Sequence, residues 1–380
     1  MNSRENASYS GLSKRSTLLA AVGLALVSGG IALLACFSQL ESRRLDVMQR
    51  FEQDVTAWLD GARRDVEIWN ADMKKLRLRI SESETYRLFS GDLFGLDSRV
   101  AGVINSAEQT GNLPGPAAVL SEEVPAIRRI LLEFMNYNGL LDARLVNKNG
   151  QTILSAFSTP SPLSPEQNSA AQQTMKTGET SFLPVRGSVN GLALDVFEPV
   201  YDLDSPEKCV AVFMSSVPVL SKVTQFTARP KQNDMSTAAM VQRRGDVWEK
   251  MQVPSPVAVP AALGKELADH KGVLPFGLRE SVSEGGGMVY SMSVFFPGLE
   301  WSLVHETPES VVEGMVFRAE LPVYAVGVLA WISFMLLSGL LWWMGFGRQQ
   351  RAVAAELRRL NQIISRQKEL LDSVNLSLDV

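Results

Sequence analysis

Cysteine and histidine are both scarce in this sequence, with two of each among 380 residues. Cys36 lies in an apolar run and Cys209 lies far along the chain, so we expect no disulfide between them. His270 and His305 do not have the spacing of metal ligands. A glycine-rich phosphate loop with a following lysine and a Gly-x-Ser-x-Gly motif are also missing. The sequence therefore predicts no metal, no cofactor and no catalytic site in this chain.

A strong excess of charge is missing too. The formal net charge is −4, which gives no reason to expect nucleic acid as a partner. With 46% hydrophobic and 21% charged residues, the composition is that of a folded chain with room for two ordinary domains.

Two long apolar runs are present, and we predict that each crosses a membrane. The first covers residues 16–40, and the second covers residues 319–347 and is uncharged from Leu321 to Gly347. Each is long enough as a helix to cross a hydrocarbon layer of roughly 30 Å. Trp342 and Trp343 stand where an interfacial aromatic belt is expected.

The charges that flank these runs predict the orientation. Basic residues near span ends stay on the cytoplasmic side, and they occur here before the first run and after the second: Arg4, Lys14, Arg15, Arg348 and Arg351. We therefore expect residues 1–15 and 348–380 in the cytoplasm and residues 41–320 outside.

A long helix is predicted over residues 41–90. Its apolar residues recur in alternating steps of four and three, at Val55, Leu59, Ala62, Val66, Trp69, Met73, Leu76 and Ile80. Such a stripe packs on the chain's own domains or forms a dimer seam, and the pattern alone leaves both open.

Two sheet-containing lobes are predicted after this helix, a distal one over residues 91–226 and a membrane-proximal one over 227–318. In the first, two apolar runs flank Asn147-Lys148-Asn149-Gly150, a hairpin signal, and three strands follow a short helix at 166–177. A weaker copy of this series follows from Thr237 to Pro308. The fold class is thus α+β, with antiparallel sheets.

The chain resembles a known family in these segments. The two-span layout and the strand texts LLDARLVNKNGQTIL, LALDVFEPVYDL, CVAVFMSSVPV and GLEWSLVHETPES look like the double Cache extracytoplasmic sensor domains of bacterial two-span receptors. The resemblance covers roughly residues 41–318. It implies two PAS-like lobes on one stalk helix, a small-molecule pocket in the distal lobe, and a place in the bacterial inner membrane.

Five residues of the distal lobe are candidates for binding this ligand. On the first strand, Asp142 and Arg144 alternate with apolar neighbours, and on the fourth, Asp195 shares a face with Phe197. Arg186 follows the third strand. Arginine holds a carboxylate through paired N–H donors, and an aspartate binds an amine. The alternative is that these residues form a solvated face of the sheet.

The ligand class stays open. Cache receptors for amino acids typically carry an Arg-x-Trp pair after the second strand and an aspartate at the end of the last distal strand. The corresponding stretches here read SAFSTPSPLSP and AVFMSSVP and contain neither feature, so the resemblance does not imply an amino acid.

The last segment, residues 347–380, predicts a coiled coil. Its apolar residues again alternate in steps of four and three, with Gln367 as one polar position, and those we assign to the dimer contact are Leu357, Leu360, Ile364, Leu371 and Val374. A single helix of this kind leaves its stripe in water, so we expect a homodimer.

A dimeric receptor that signals to a cytoplasmic output is the function these features favour. Residues 347–380 contain no histidine, so we expect no phospho-accepting histidine and no enzyme activity there. The output is then a separate protein or a domain not included in this sequence. The first alternative is the sensor part of a histidine kinase or diguanylate cyclase, and the second is a membrane protein that captures a solute without signalling.

Overall fold

The computed structural model describes residues 3–94, 116–189, 191–228, 235–282 and 286–378. The chain divides into two compact units. One consists of residues 49–313, and the other of residues 1–48 together with 314–380.

The larger unit is α+β, as predicted, and contains two antiparallel sheets. Helices precede, connect and cover them: α1 (Ser3–Ser81), α2 (Glu84–Phe94), α3 (Pro116–Tyr137), α4 (Pro165–Thr177), α5 (Leu220–Thr227), α6 (Ala261–Asp269) and α7 (Glu309–Leu378). Helices α1 and α7 also extend into the smaller unit.

The first sheet has six strands in the order β2-β1-β6-β5-β3, with β4 also paired to β5. The strands are β1 (Asp142–Val146), β2 (Thr152–Ser155), β3 (Ser181–Phe182), β4 (Arg186–Ser188), β5 (Gly191–Tyr201) and β6 (Cys209–Pro218). The predicted hairpin is confirmed: Gly150 has a φ of 75°, and Asn147 Oδ1 accepts from the N–H groups of Asn149 and Gln151. We call this sheet with α3 and α4 the first lobe.

The second sheet also has six strands, in the order β10-β11-β12-β7-β8-β9. They are β7 (Thr237–Arg244), β8 (Val247–Lys250), β9 (Val257–Ala258), β10 (Gly277–Glu280), β11 (Met288–Phe296) and β12 (Trp301–Pro308). Leu263 and Leu267 of α6 pack with Val241, Trp248 and Val304 on one face. This sheet and α6 form the second lobe.

The apolar stripe of α1 is buried by the chain's own lobes. Phe51, Val55, Leu59, Ala62, Val66, Trp69 and Ile80 are all buried, and Trp69 stacks on Trp301 of the second sheet with ring centroids 5.8 Å apart. These residues of the stripe therefore pack on the chain's own domains, which was one of the two predicted alternatives. The helix ends at Ser81, and a separate helix, α2, begins at Glu84.

Two local sequence predictions are wrong. Ser121 followed by Glu122 and Glu123 predicts a helix capped at Ser121, but Ser121 lies inside α3, which is described from Pro116. The stretch TSFLPV at residues 180–185 predicts a single strand. The structure instead has two short strands, β3 and β4, on either side of Pro184, which cannot donate to a strand ladder.

The smaller unit contains the two predicted spans. Within α7, residues Glu309–Leu340 form a helix long and apolar enough to cross a membrane, with a mean hydropathy of 2.0 and no buried residue in the apolar window. The predicted first span lies in α1, but the side chains of residues 1–26 lie outside the described part of the chain. The two helices approach closely at Gly327, where an added Cβ would lie 3.1 Å from Cys36 Sγ.

Candidate functional site

All five predicted ligand-binding residues lie in the first lobe, and the central strands place four of them on one face of its sheet. Residues opposite each other in neighbouring strands share a face. Ser216 of β6 pairs with both Asp142 of β1 and Asp195 of β5, and Met214 pairs with both Arg144 and Phe197. Helix α4 covers this face, because Ala170 and Ala171 pack with Phe197 and Met214.

Asp195 is the centre of the polar contacts on this face and is only 1% exposed. Its carboxylate accepts from Arg186 Nε at 2.8 Å and Nη2 at 3.1 Å, from Gln167 Nε2 at 2.8 Å, and from the Ser216 hydroxyl. Hydrogen bonding to Asp195 is the main cause that raises the pKa of Arg186, and the negative charge of Asp142 adds to it. The buried carboxylate is thus paired and well hydrogen-bonded, as burial of a charge requires.

Arg144 makes a second ion pair on the same face. Its Nε donates to Asp142 Oδ2 at 2.6 Å. The guanidinium also donates to the carbonyl and hydroxyl oxygens of Ser161, in the loop before α4. Arg144 is buried and Asp142 nearly so.

One acceptor of this group has no partner. Asp142 Oδ1 is buried and makes no hydrogen bond with any described residue. Buried polar atoms are rarely left unpaired in folded proteins, since the desolvation is then uncompensated. The other oxygen of this carboxylate is paired with Arg144, so Oδ1 is the atom of the group that lacks a donor.

The alternative of a solvated face is wrong for Arg144, Asp195 and Phe197, which are all buried. Arg186 is the exception, with a side chain 43% exposed at the edge of the group. The group has balanced formal charge, two arginines against two aspartates. That these residues bind a ligand stays a prediction.

Sequence reasoning missed three members of the group, Ser161, Gln167 and Ser216. Ser164 and Gln167 form a capping box at the start of α4, with Gln167 Oε1 accepting from the Ser164 N–H at 2.9 Å. The spacing Ser-x-x-Gln before a helix is visible in the sequence and could have pointed to Gln167. We call Asp142, Arg144, Ser161, Gln167, Arg186, Asp195 and Ser216 the polar cluster.

The second lobe also buries polar side chains, and those of Glu306 and Arg279 have partners within the chain. Glu306 accepts from the Val282 N–H at 2.6 Å and from the Ser281 hydroxyl at 2.9 Å. Arg279 pairs with Glu266 at 2.9 Å and donates to the Ser291 hydroxyl at 2.8 Å. Burial raises the pKa of Glu306. The hydrogen bonds from Val282 and Ser281 and the positive charge of Lys250 act in the opposite direction.

Outside the polar cluster, the described residues form a surface recess but no metal site. No group of three or more His, Cys, Asp or Glu residues among them has the geometry to hold a metal ion. A recess of about 450 Å³ lies on the surface near the end of α1 and is lined by Lys75, Leu78, Arg79, Glu82 and Ser83. None of these residues belongs to the polar cluster, and none of them carries a buried polar atom without a partner.

Among known proteins, similarity to this chain is found with solved structures, and those described below are sensor domains. No family model matches the chain, and no curated protein matches its sequence.

The similar structures include the ligand-binding domain of the Campylobacter jejuni chemoreceptor Tlp3 in complex with L-norvaline (10% identity, 70% of this chain, 94% of that chain, TM-score 0.45). They also include the sensor domain of the Vibrio cholerae histidine kinase DctB (13% identity, 69% of this chain, 98% of that chain, TM-score 0.41). A third is the ligand-binding domain of the Pseudomonas aeruginosa PAO1 amino acid chemoreceptor PctC in complex with GABA (14% identity, 68% of this chain, 100% of that chain, TM-score 0.40). These are sensor domains of signalling receptors, the class that the sequence resembles.

Proposed function

We propose that this chain is a membrane receptor whose first lobe binds a small polar molecule at the polar cluster. The observation that carries this proposal is the unpaired, buried Asp142 Oδ1 within a group of otherwise paired charges. An orphaned buried acceptor of this kind costs about 1–3 kcal/mol. A bound ligand that donates to Oδ1 removes this cost.

The charge balance of the cluster restricts the chemistry of the ligand. Arg144 and Arg186 offset Asp142 and Asp195, so a ligand with net charge would leave an uncompensated charge in a buried site. A neutral polar molecule or a zwitterion with an N–H or O–H donor fits. Arg186 is the half-exposed member, so the ligand is expected to enter past its guanidinium.

Thermal unfolding of the full chain in lipid nanodiscs tests the proposal. The panel contains an α-amino acid, an ω-amino acid, a polyol, a dicarboxylate and a diamine. We expect a zwitterion or the polyol to raise the Tm, since a ligand that binds only the folded state stabilises it. The dicarboxylate and the diamine, with net charge, are expected to have no effect.

Asp142→Asn is the discriminating variant, because it keeps the size of the side chain and replaces a carboxylate acceptor. Loss of a hydrogen bond to a charged group should weaken binding roughly 10- to 100-fold. Asp246→Asn is the matched control, because Asp246 is exposed in the β7–β8 turn. Equal affinity of the Asp142→Asn variant and the wild type, or a panel without any effect on the Tm, would refute binding at the cluster.

Signal transmission is the second part of the proposal. A ligand shifts a two-state receptor only by its different affinity for the two states, and the paired α7 helices are proposed to carry that shift through the membrane to a cytoplasmic output. Replacing Leu360 and Ile364 with Asp should abolish the response and leave ligand affinity unchanged. A protein that only captures solute would have no response to lose, and a kinase or cyclase domain after residue 380 would appear as a native protein much larger than 41.7 kDa.

A further inference from the structure

Helix α1 is joined to the first lobe by a buried ion pair. Arg77 Nε lies 3.4 Å from Glu198 Oε2, and the two side chains are only 3% and 6% exposed. The Thr180 hydroxyl donates to the same carboxylate oxygen at 3.0 Å, and the Arg77 guanidinium lies over the Phe182 ring, 5.5 Å from its centroid. Arg77 is therefore surrounded by β3 and β5 of the first sheet.

The same two strands also contact the polar cluster. Glu198 follows Asp195 by three residues on β5, so their side chains lie on opposite faces of the sheet. On β3, Ser181 stands between Thr180 and Phe182, and its hydroxyl is 2.6 Å from that of Thr174 in α4. Helix α4 in turn supplies Gln167 to Asp195. A change at Asp195 thus has a short contact route to Arg77 through β5, and another through α4 and β3.

The contacts of α1 with the second lobe are of a different kind. Trp69 stacks on Trp301, and Trp58 lies edge-on to His305 with ring centroids 5.5 Å apart. Aromatic and apolar contacts tolerate small displacements. A buried ion pair has a narrow range of good geometries and costs desolvation, so an apolar pair of similar size would hold the same contact at least as well. Burial of Arg77 indeed lowers its pKa.

We propose that the Arg77–Glu198 ion pair couples the polar cluster to helix α1, so that a change in the hydrogen bonding of Asp195 alters the stability of the last turns of that helix. The pair fixes one position of α1 against β3 and β5. This inference rests on the proposed receptor function for its purpose, but the coupling itself can be measured without any ligand.

Hydrogen exchange of the full chain in nanodiscs tests the coupling, with Ser216→Ala as the perturbation. The substitution removes the hydroxyl that donates to Asp195. It is expected to raise the exchange rate of amides in residues 70–81 about tenfold, because local opening follows local stability. Residues 49–60 of α1 are the internal reference and should not change. Ser215→Ala is the matched control on the same strand, because the Ser215 hydroxyl has no hydrogen-bond partner among the described residues.

The decisive comparison repeats Ser216→Ala in a background with Arg77→Met and Glu198→Met. We expect its effect on residues 70–81 to vanish there. If the Met pair prevents folding, Glu198→Gln keeps the shape of the side chain, removes its charge and should also abolish the effect. An effect of Ser216→Ala that persists without the ion pair, or one that is absent in the wild type, overturns the proposal. Because no ligand is used, either result is independent of whether the panel of small molecules binds.

Discussion

At the residue scale, the polar cluster shows how the first lobe holds four charged side chains together, three of them buried or nearly so and Arg186 half-exposed. Each charge has an opposite charge within hydrogen-bond distance, and Asp195 has three different donors. A network of this kind is stable only while it is nearly complete, because each lost partner leaves a desolvated group behind. The unpaired Asp142 Oδ1 is the position at which we propose that a ligand adds to the network.

Asp195→Asn should destabilise the first lobe strongly. The neutral amide cannot balance Arg186, and its NH₂ group faces donors from Gln167 and Ser216 in place of an acceptor. We expect the free energy of unfolding to fall by about 2–4 kcal/mol, measured by urea denaturation in detergent. The exposed Asp246→Asn serves as reference, and an Asp195→Asn variant as stable as that reference would contradict a structural role for the network.

Glu306→Gln should change the pH dependence of stability in the second lobe. Burial raises the pKa of Glu306 above its ordinary value of 4.5, so the folded protein keeps a proton that the unfolded chain has already released. The free energy of unfolding therefore falls as pH rises from about 4.5 through the raised pKa, and the contribution is largest at low pH. The Glu306→Gln variant should lose this slope, seen as a flatter plot of Tm against pH. A plot parallel to that of the wild type would show that Glu306 does not titrate in this window.

At the element scale, the first turn of helix α4 both caps the helix and contacts the polar cluster. Gln167 caps the helix with its carbonyl oxygen and binds Asp195 with its amide nitrogen. The Ser164 hydroxyl accepts from the Gln167 N–H at 3.1 Å and completes the capping box. The cap thereby orients a member of the polar cluster.

Ser164→Ala should cost about 1 kcal/mol of stability, the usual value for losing an N-cap. The loss should be concentrated in residues 165–177, whose amides should exchange faster. Ser169→Ala is the matched control, because Ser169 is exposed inside the same helix and alanine is a better helix former. Equal effects of the two substitutions would show that the capping box does not hold α4.

The sequence predicted the elements better than their contacts. Alternation of apolar residues located β1, β5 and β6, and a turn signal located the hairpin at Asn147, because these patterns are local. The same alternation placed Asp142 with Arg144 on one strand face and Asp195 with Phe197 on another, and the register of β6 with both strands makes these one face. The alternation did not identify Ser161 or Ser216 as partners, because a contact between residues far apart in sequence depends on register and on the loop before α4. The buried pair of Arg77 and Glu198 was missed for the same reason, since its residues are 121 positions apart.

At the scale of the whole molecule, the proposed ligand site and the proposed membrane spans lie in different compact units. Residues 49–313 contain both lobes and the polar cluster, and the smaller unit contains the apolar helices and the segment after them. In that segment, Val353, Leu357, Leu360 and Ile364 are about half exposed, whereas the stripe of α1 is buried. The side chains of Leu371 and Val374 lie outside the described residues. A helical stripe of exposed aliphatic residues at heptad spacing is covered most simply by the same stripe of a second copy.

Replacing Leu360 and Ile364 with Asp should separate the proposed dimer, since charged side chains in a heptad seam repel each other and lose the apolar burial. We expect the mass of the detergent-solubilised protein, measured by light scattering, to fall to that of one chain. Gln362→Asp is the control, because residue 362 lies on the helix face away from the predicted seam and should leave the dimer intact. Cysteines at the two positions give a second measurement: Leu360→Cys should form a disulfide between chains under mild oxidation and Gln362→Cys should not. Dimers that survive both aspartates, or cysteines that cross-link equally well, would mean that residues 348–378 do not form the seam and that the contact between copies lies elsewhere.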